Sequence, residues 1–390
     1  MTRMLLVGGE LLDPEAREPR RADLLLDRGR IEARLGPDDA TPDDARRIDV
    51  SGLRIAPGLI DLHVHGRAVF KPIDSIEEAI RAEAASSARH GVTANLVTTV
   101  AWRMTRVKEF LSKYASIASW DEEEGSVPIG VHLEGPWIAS AAAGAQPADG
   151  IRDYCEPEGT ELFEAAQGVV KMVTLAPEIA GAADLLTELD RRGIVAALGH
   201  SLADAAAVQT AVDRGARHVT HLFNAMGPLH HREPGLAGAA LADDHLTCDL
   251  ICDGAHVHPR MVAVAARACG ERLTLISDRV VPPTAAEPGE ALADFGAGKL
   301  RDDGEAWRLP DGRLAGSRLT LDRALRNLIG FAGVPLLDAV AACTLRPARV
   351  LGIEAERGSL RMGARADLAL FDEALALRET WIGGRRVYAG

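Results

Sequence analysis

The chain has 390 residues, 47% of them hydrophobic, and a formal net charge of -13. That length and apolar content suit one large α/β core with some extra structure, whereas the negative charge argues against a general nucleic-acid or anionic-membrane binder, because phosphates are repelled unless a local basic pocket holds them. The opening MTRMLLVGGELLDP has too short an apolar stretch for a signal peptide and no segment is long enough to cross a bilayer, so a cytoplasmic protein is expected.

Residues 1–55 read as short strands broken by turns, in RMLLVGGELLD, ADLLLDRGRIEARL and RRIDVSGLRIA. Residues 356–390 behave alike, with GSLRMGARADLALFD and ETWIGGRRVYAG alternating apolar and polar positions around glycines. Each piece is too short to bury a core alone. Both are therefore expected to build one small β-sandwich-like domain, with residues 56–355 inserted between them.

That insert carries eight apolar runs of strand length: LIDLHVH, VTANLVTT, PIGVHLEG, VVKMVTLA, IVAALGH, HVTHLF, LTCDLICDG and LTLISD. Segments with helical spacing, such as SIEEAIRAEAASSARH and LADAAAVQTAVDRG, alternate with them. Eight βα repeats predict a (β/α)8 TIM-type barrel rather than an open doubly wound sheet.

The ends of these runs carry the chemistry. The first ends on His63 and His65, the third on Glu134, the fifth on His200, the sixth on His221 and the eighth on Asp278. Strand side chains alternate faces, so His63 and His65 point the same way. A lone histidine at a strand end is more often a satisfied core or surface residue. Six metal-competent groups on the C-terminal rim, where barrel chemistry collects, are hard to explain by packing. His132, His218, His90 and His245 read as structural. The five cysteines form no CxxC pair and read as reduced core thiols.

Three long loops follow these strands: EGPWIASAAAGAQPADGIRD after Glu134, NAMGPLHHREPGLAG after His221, and the stretch from Val280 to Gly316, which lacks strong helical periodicity. Loops of that length inside a compact domain are usually functional or mobile. A site of His, Glu and Asp without thiolate suits zinc, iron(II) or manganese, and Glu134, His200 and His221 leave room for water. A divalent ion lowers the pKa of its water to about 7, and Asp278 is placed to take that proton and pass it to a leaving group. Metal-assisted hydrolysis is the chemistry expected.

The motifs PGLIDLHVHG, VHLEGPW, LGHS, THLFNAM, REPGLAGA, ICDGAHVH, LISD, LAGSRLT and TLRPARVLGI resemble, in order and over roughly residues 5–388, the amidohydrolase superfamily and within it the N-acetylglucosamine-6-phosphate deacetylases. DLHVH and GARADLALFD are shared widely among amidohydrolases; LEGPW, THLFNAM and REPGLAG are narrower. The resemblance implies that Glu134, His200 and His221 hold the main metal, most simply Zn2+, with Fe2+ or Mn2+ as alternatives. His63 and His65 match members that hold a second ion bridged by Glu134, so one or two ions per subunit are expected. Asp278 corresponds to the general acid and base. Asn224, Ala225, Arg232 and His256 match positions that hold the sugar phosphate. Leu314, Ala315 and Gly316 match a loop that touches substrate. The arginine comes from the neighbouring subunit in that family, which implies a homodimer with shared sites.

By spacing alone His256 and His258 are equivalent, and the resemblance favours His256. Asp253 reads as orienting its loop. The chain departs from the family in the loop after Glu134, where Ala145 precedes Gln146 instead of the usual histidine that contacts the acetamido group. Glutamine still donates a hydrogen bond but carries no charge. Gly66 is followed by Arg67, Ala68, Val69, Phe70 and Lys71 where the family has several glycines, and Arg279 follows Asp278 where a small residue is common. Strand alternation points Arg279 away from the metal. The leading expectation is removal of the N-acetyl group of N-acetylglucosamine 6-phosphate. The alternatives are a related N-acetyl-hexosamine phosphate or another amide, and a non-catalytic barrel that binds sugar phosphate.

Overall fold

The computed structural model describes residues 3–117, 120, 124–282 and 298–390. Eight parallel strands form the barrel: β1 Leu59–Gly66, β2 Val92–Thr98, β3 Val127–Glu134, β4 Val170–Leu175, β5 Val195–Leu198, β6 His218–Val219, β7 Thr247–Ile251 and β8 Leu273–Ile276. Each pairs with the next in sequence. Closure comes from the continuation of β8: Arg279–Val280 pairs parallel with β1, and the Asp278 N–H donates to the His63 carbonyl at 2.9 Å. All eight apolar runs are strands, although β6 keeps ladder pairing over two residues only.

The helices follow from their sequences. α1 Ile76–Ala88, α2 Met104–Ala115, α3 Glu156–Ala165, α4 Ala182–Arg192, α5 Ala205–Asp213, α6 Gly235–Ala242, α7 Pro259–Cys269 and α8 Leu321–Ala332 surround the sheet. In α4 the buried positions are Ala182, Leu185, Leu186 and Leu189, one face of a 3.6-residue period, and Gly193 at φ +66° ends it in the left-handed conformation open to glycine. Asp204 starts α5 by accepting from the Ala207 N–H at 2.8 Å. His258 does the same for α7, with Pro259 in its first turn. His258 is thus a capping residue.

The two ends of the chain meet in one β-sandwich-like unit. A four-stranded sheet (Met4–Val7, Asp23–Asp27, Arg30–Leu35, Arg46–Asp49) comes from the N-terminal segment. A six-stranded sheet joins both ends, with Arg54–Pro57 antiparallel to Leu368–Phe371. Their facing side chains, among them Leu6, Leu24, Ile31, Ile55, Leu368 and Trp381, form a core separate from the barrel's.

The segment Val280–Gly316 contains short strands at Arg301–Asp302, Ala306–Arg308 and Leu314–Ser317, which pair antiparallel in sequence and extend the barrel sheet. The question of order in this loop falls on residues 283–297, outside the described residues. All five cysteines are free. Four are core thiols as expected; Cys155 is exposed, because it precedes α3 at the surface. No helix among the described residues is long and apolar enough to cross a membrane.

Candidate metal centre

Two devices bring the strand-end residues together. On β1 and β3 the ladder itself aims His63, His65 and Glu134 into the mouth. Past β5, β6 and β8 the chain turns sharply: His200, His221 and Asp278 have φ of +48°, +35° and +46°. This left-handed conformation costs a non-glycine residue about 1–3 kcal/mol, and such strain persists where surrounding structure enforces it.

The Glu134 carboxylate sits at the centre. Its Oε1 lies 3.0 Å from the Nε2 atoms of both His200 and His221. Its Oε2 faces the other pair, 3.3 Å from His65 Nε2 and 3.6 Å from His63 Nε2. Asp278 Oδ1 is 3.4 Å and 3.3 Å from the same two nitrogens. All six residues are buried. Among the described residues two potential ligand triads result, His63–His65–Glu134 and Glu134–His200–His221, sharing one carboxylate.

Whether these groups fit a cation is decided by their other contacts. His65 Nδ1 lies 3.1 Å from the Thr98 carbonyl and His200 Nδ1 2.9 Å from the Ala142 carbonyl. A carbonyl only accepts, so each Nδ1 carries a proton and each Nε2 faces the centre, where it either holds a further proton toward the carboxylates or, once a cation replaces that proton, offers a lone pair. The two Nε2 atoms of each pair are 3.2 Å apart. Lone pairs crowded against each other and against a carboxylate repel unless positive charge lies between them. Two ligands 2.0–2.1 Å from one tetrahedral zinc stand about 3.4 Å apart, close to this spacing.

The protonation equilibria lean the same way. Burial disfavours charged His65, but its hydrogen bonds to Asp278 and Glu134 win and raise its pKa to about 10. Burial pushes the Glu134 carboxyl up; the nearby charge of His63 and hydrogen bonds from His200 and His221 outweigh it and hold the group well below its ordinary value. The site favours positive charge at its centre, and its thiolate-free set of imidazoles and carboxylates fits a divalent cation.

A matching family model describes the chain from residue 54 to residue 387, that of the "Amidohydrolase family". The chain belongs to the amidohydrolase family. It is 34% identical to the N-acetylglucosamine-6-phosphate deacetylase of Vibrio furnissii, covering 88% of this chain and 85% of that one. It is also 34% identical to an N-acetylgalactosamine-6-phosphate deacetylase of Escherichia coli O157:H7, covering 85% and 87%. Among solved structures, the Mycobacterium smegmatis N-acetyl-D-glucosamine-6-phosphate deacetylase superposes with a TM-score of 0.87 at 31% identity over the full length of both chains; it is an aspartate-to-alanine variant in complex with N-acetyl-D-glucosamine-6-phosphate. Within the amidohydrolases this chain stands among the N-acetylglucosamine-6-phosphate deacetylases.

Beside the ligand cluster the amidohydrolase has a cavity of 290 Å3. Ala145, Gln146, Asn224, Ala225, His256, Leu314 and Gly316 line it, as do His65, Glu134, His200, His221 and Asp278. His256 is fixed by Asp253, whose carboxylate also accepts from the N–H groups of Ala255 and His256. Ala225, at φ +51°, holds the turn after His221. Two expected contacts lie elsewhere. Ala315 is not in the lining: strand alternation between Leu314 and Gly316 buries it in the core. Arg232 lies outside this cavity, beside an open groove bordered by Leu202 and Leu229, with its guanidinium against His231.

The sequence reading overlooked Arg313, which lines the cavity and is held by Asp311 and the Gly144 carbonyl. It immediately precedes the LAGS motif, and that adjacency was the signal available, because a period of two would put Arg313 on the face of Ala315 and the strand begins only at Leu314. Arg279 points away from the site as expected, into a buried ion pair with Glu83 of α1. His132 bridges the Leu62 carbonyl and Thr174 inside the barrel, and His218 pairs with Asp249 at 2.8 Å.

Proposed function

We propose that this amidohydrolase cleaves the acetamido group of N-acetylglucosamine 6-phosphate to give acetate and glucosamine 6-phosphate. The observation that carries the reading is Glu134 shared between two histidine pairs, with Asp278 against one pair at the wall of a sugar-sized cavity.

Glu134, His200 and His221 would hold the principal ion, and His63 and His65 with Glu134 a second; zinc fits the nitrogen-rich set best. A divalent ion there supplies Lewis acidity to the amide carbonyl and to a water molecule. Asp278 takes a proton from the attacking water and delivers it to the amide nitrogen as the carbon–nitrogen bond breaks. In the metal-free site burial raises the carboxyl's pKa, but the hydrogen bond from His65 and the charge of His63 outweigh burial and hold it below its ordinary value. The new carbon–oxygen bond stays with acetate, and the sugar leaves as the amine.

On the sugar side, His256 and the backbone around Asn224 and Ala225 supply donors for the ring hydroxyls and phosphate. Arg232 belongs to this set only if it is contributed across a subunit interface, since within its own chain it stands outside the cavity. On that reading the enzyme is a homodimer with shared sites. The groove beside Arg232 exposes Leu202 and Leu229 at 52% and 47%, in keeping with a covered face.

The test is acetate release, with metal content measured alongside, on the 6-phosphates of N-acetylglucosamine and N-acetylgalactosamine and on the unphosphorylated sugars. Preference for the first compound is expected. Preference for the galactose isomer would move the assignment to the second reading, which is motivated by the equal identity to the galactosamine relative. Tight binding without turnover would sink the hydrolase.

A further inference from the structure

Gln146 is buried, and both ends of its amide are committed to protein. Its Oε1 accepts from the backbone N–H of Ala101 at 2.7 Å. A backbone N–H only donates, which fixes the orientation of the amide and turns its NH2 group toward Glu134. Nε2 donates to Glu134 Oε2 at 2.5 Å. This contact distinguishes the two carboxylate oxygens. Oε1 meets His200 and His221, both at 3.0 Å. Oε2 already has a donor, and the histidines on its side are farther away, at 3.3 and 3.6 Å.

We propose that Gln146 is a positioning residue that makes the two ion positions unequal, so that the site at His200 and His221 is tight and the site at His63 and His65 is weak. Two physical effects act together. The hydrogen bond occupies one lone pair of Oε2 and withdraws charge from the other. The amide hydrogens also carry partial positive charge beside the place where the second cation would sit, and the low dielectric of a buried site magnifies that repulsion. Contacts one shell beyond a metal typically change affinity about 10–100-fold. The same hydrogen bond helps to fix Glu134 for the first ion.

This inference rests on the metal-dependent reading of the site. It is tested by titrating the metal-free full-length protein with Zn2+ or Co2+, following binding calorimetrically and counting retained ions after dialysis. The native chain should retain one ion and bind a second at least 10-fold more weakly. Gln146→Leu should strengthen the second ion about 10-fold, and Gln146→Glu, which puts an acceptor where the NH2 group was, should strengthen it further. The first ion should change much less. Mere damage to the fold would weaken both ions together, so that result overturns the proposal. So do two equally tight ions in the native chain, or a second ion no tighter in either variant. A native chain that binds no divalent ion overturns the metal reading as well, and is told apart by the missing first ion.

Discussion

The floor and the wall of the cavity are built by different means. The floor consists of His63, His65, Glu134, His200, His221 and Asp278, each within three residues of a strand end and buried. The wall consists of loop residues: Ala145 and Gln146 after β3, Asn224 and Ala225 after β6, His256 after β7, and Arg313 and Leu314 on the hairpin that follows β8. A strand end inherits its position from a hydrogen-bonded ladder fixed over the whole barrel. A loop residue inherits its position from a handful of local contacts. On the proposed function the floor would set the reaction class and the wall the substrate, and perturbing them should give different signatures.

The largest effect is expected on the floor. Asp278→Asn should reduce turnover about 1,000-fold, the usual scale for loss of a positioned acid and base, while metal content and thermal stability stay near native. Asparagine is chosen because it tolerates the left-handed φ of +46° at this position. Loss of metal together with activity would assign Asp278 to the ligand set instead.

For Arg232, proposed to reach the wall of the neighbouring subunit, Arg232→Ala should lower kcat/KM about 10–100-fold for the phosphorylated sugar, mostly through KM, the scale of a lost charged hydrogen bond. Unphosphorylated amides should be unaffected. Mixing Arg232→Ala subunits with Asp278→Asn subunits should restore part of the activity, because one site of the mixed dimer then has both residues intact. Absence of restoration in a verified mixed dimer would break the shared-site arrangement. Arg313 makes a sharper comparison, as a cation that reaches the cavity from its own chain. Its guanidinium is half exposed and already engaged by Asp311 and Gly144, so Arg313→Thr should cost less than about 10-fold. A larger loss than for Arg232→Ala would make Arg313 the principal phosphate ligand.

The division between floor and wall also explains what could be read from the residues alone. Alternation along LIDLHVH put His63 and His65 on one face, and apolar runs of strand length marked the ends at Glu134, His200, His221 and Asp278. Nothing in a period of two foretold the left-handed turns at His200, His221 and Asp278, which depend on the whole barrel closing around them. Family landmarks brought Asn224, Ala225 and His256 to the cavity. Ala315, from the LAGS motif, stands outside the lining, and its burial follows from the register of Leu314–Ser317 against Ala306–Arg308. The landmarks passed over Arg313, because an arginine beside a loop motif looks like any solvated arginine until its contact across to Gly144 is known. The role of Gln146 was invisible for the same reason: its partner Ala101 lies in the loop after a different strand.

A buried charge remote from the cavity gives the contrasting case, in which substitution should cost stability and leave turnover alone. Asp322, in the first turn of α8, lies 3.3 Å from His90 Nδ1 and 2.9 Å from Arg326. Burial pushes its pKa up, but the hydrogen bonds with His90 and Thr320 and the charge of Arg326 outweigh this and hold it at about 2. A carboxyl depressed in the folded state contributes its full stability above its ordinary value and loses it as pH falls through the folded value. The stabilisation should therefore fade between about pH 4 and pH 2, and its size, from nearly two pKa units, is about 2 kcal/mol at neutral pH. Asp322→Asn should lower the denaturation free energy by that amount at pH 7 and flatten the native chain's loss of stability across the acid window, with kcat unchanged. An acid limb identical to that of the native chain would show that the contact with His90 does not hold this helix to the barrel and that the pair with Arg326 within the helix adds no stability.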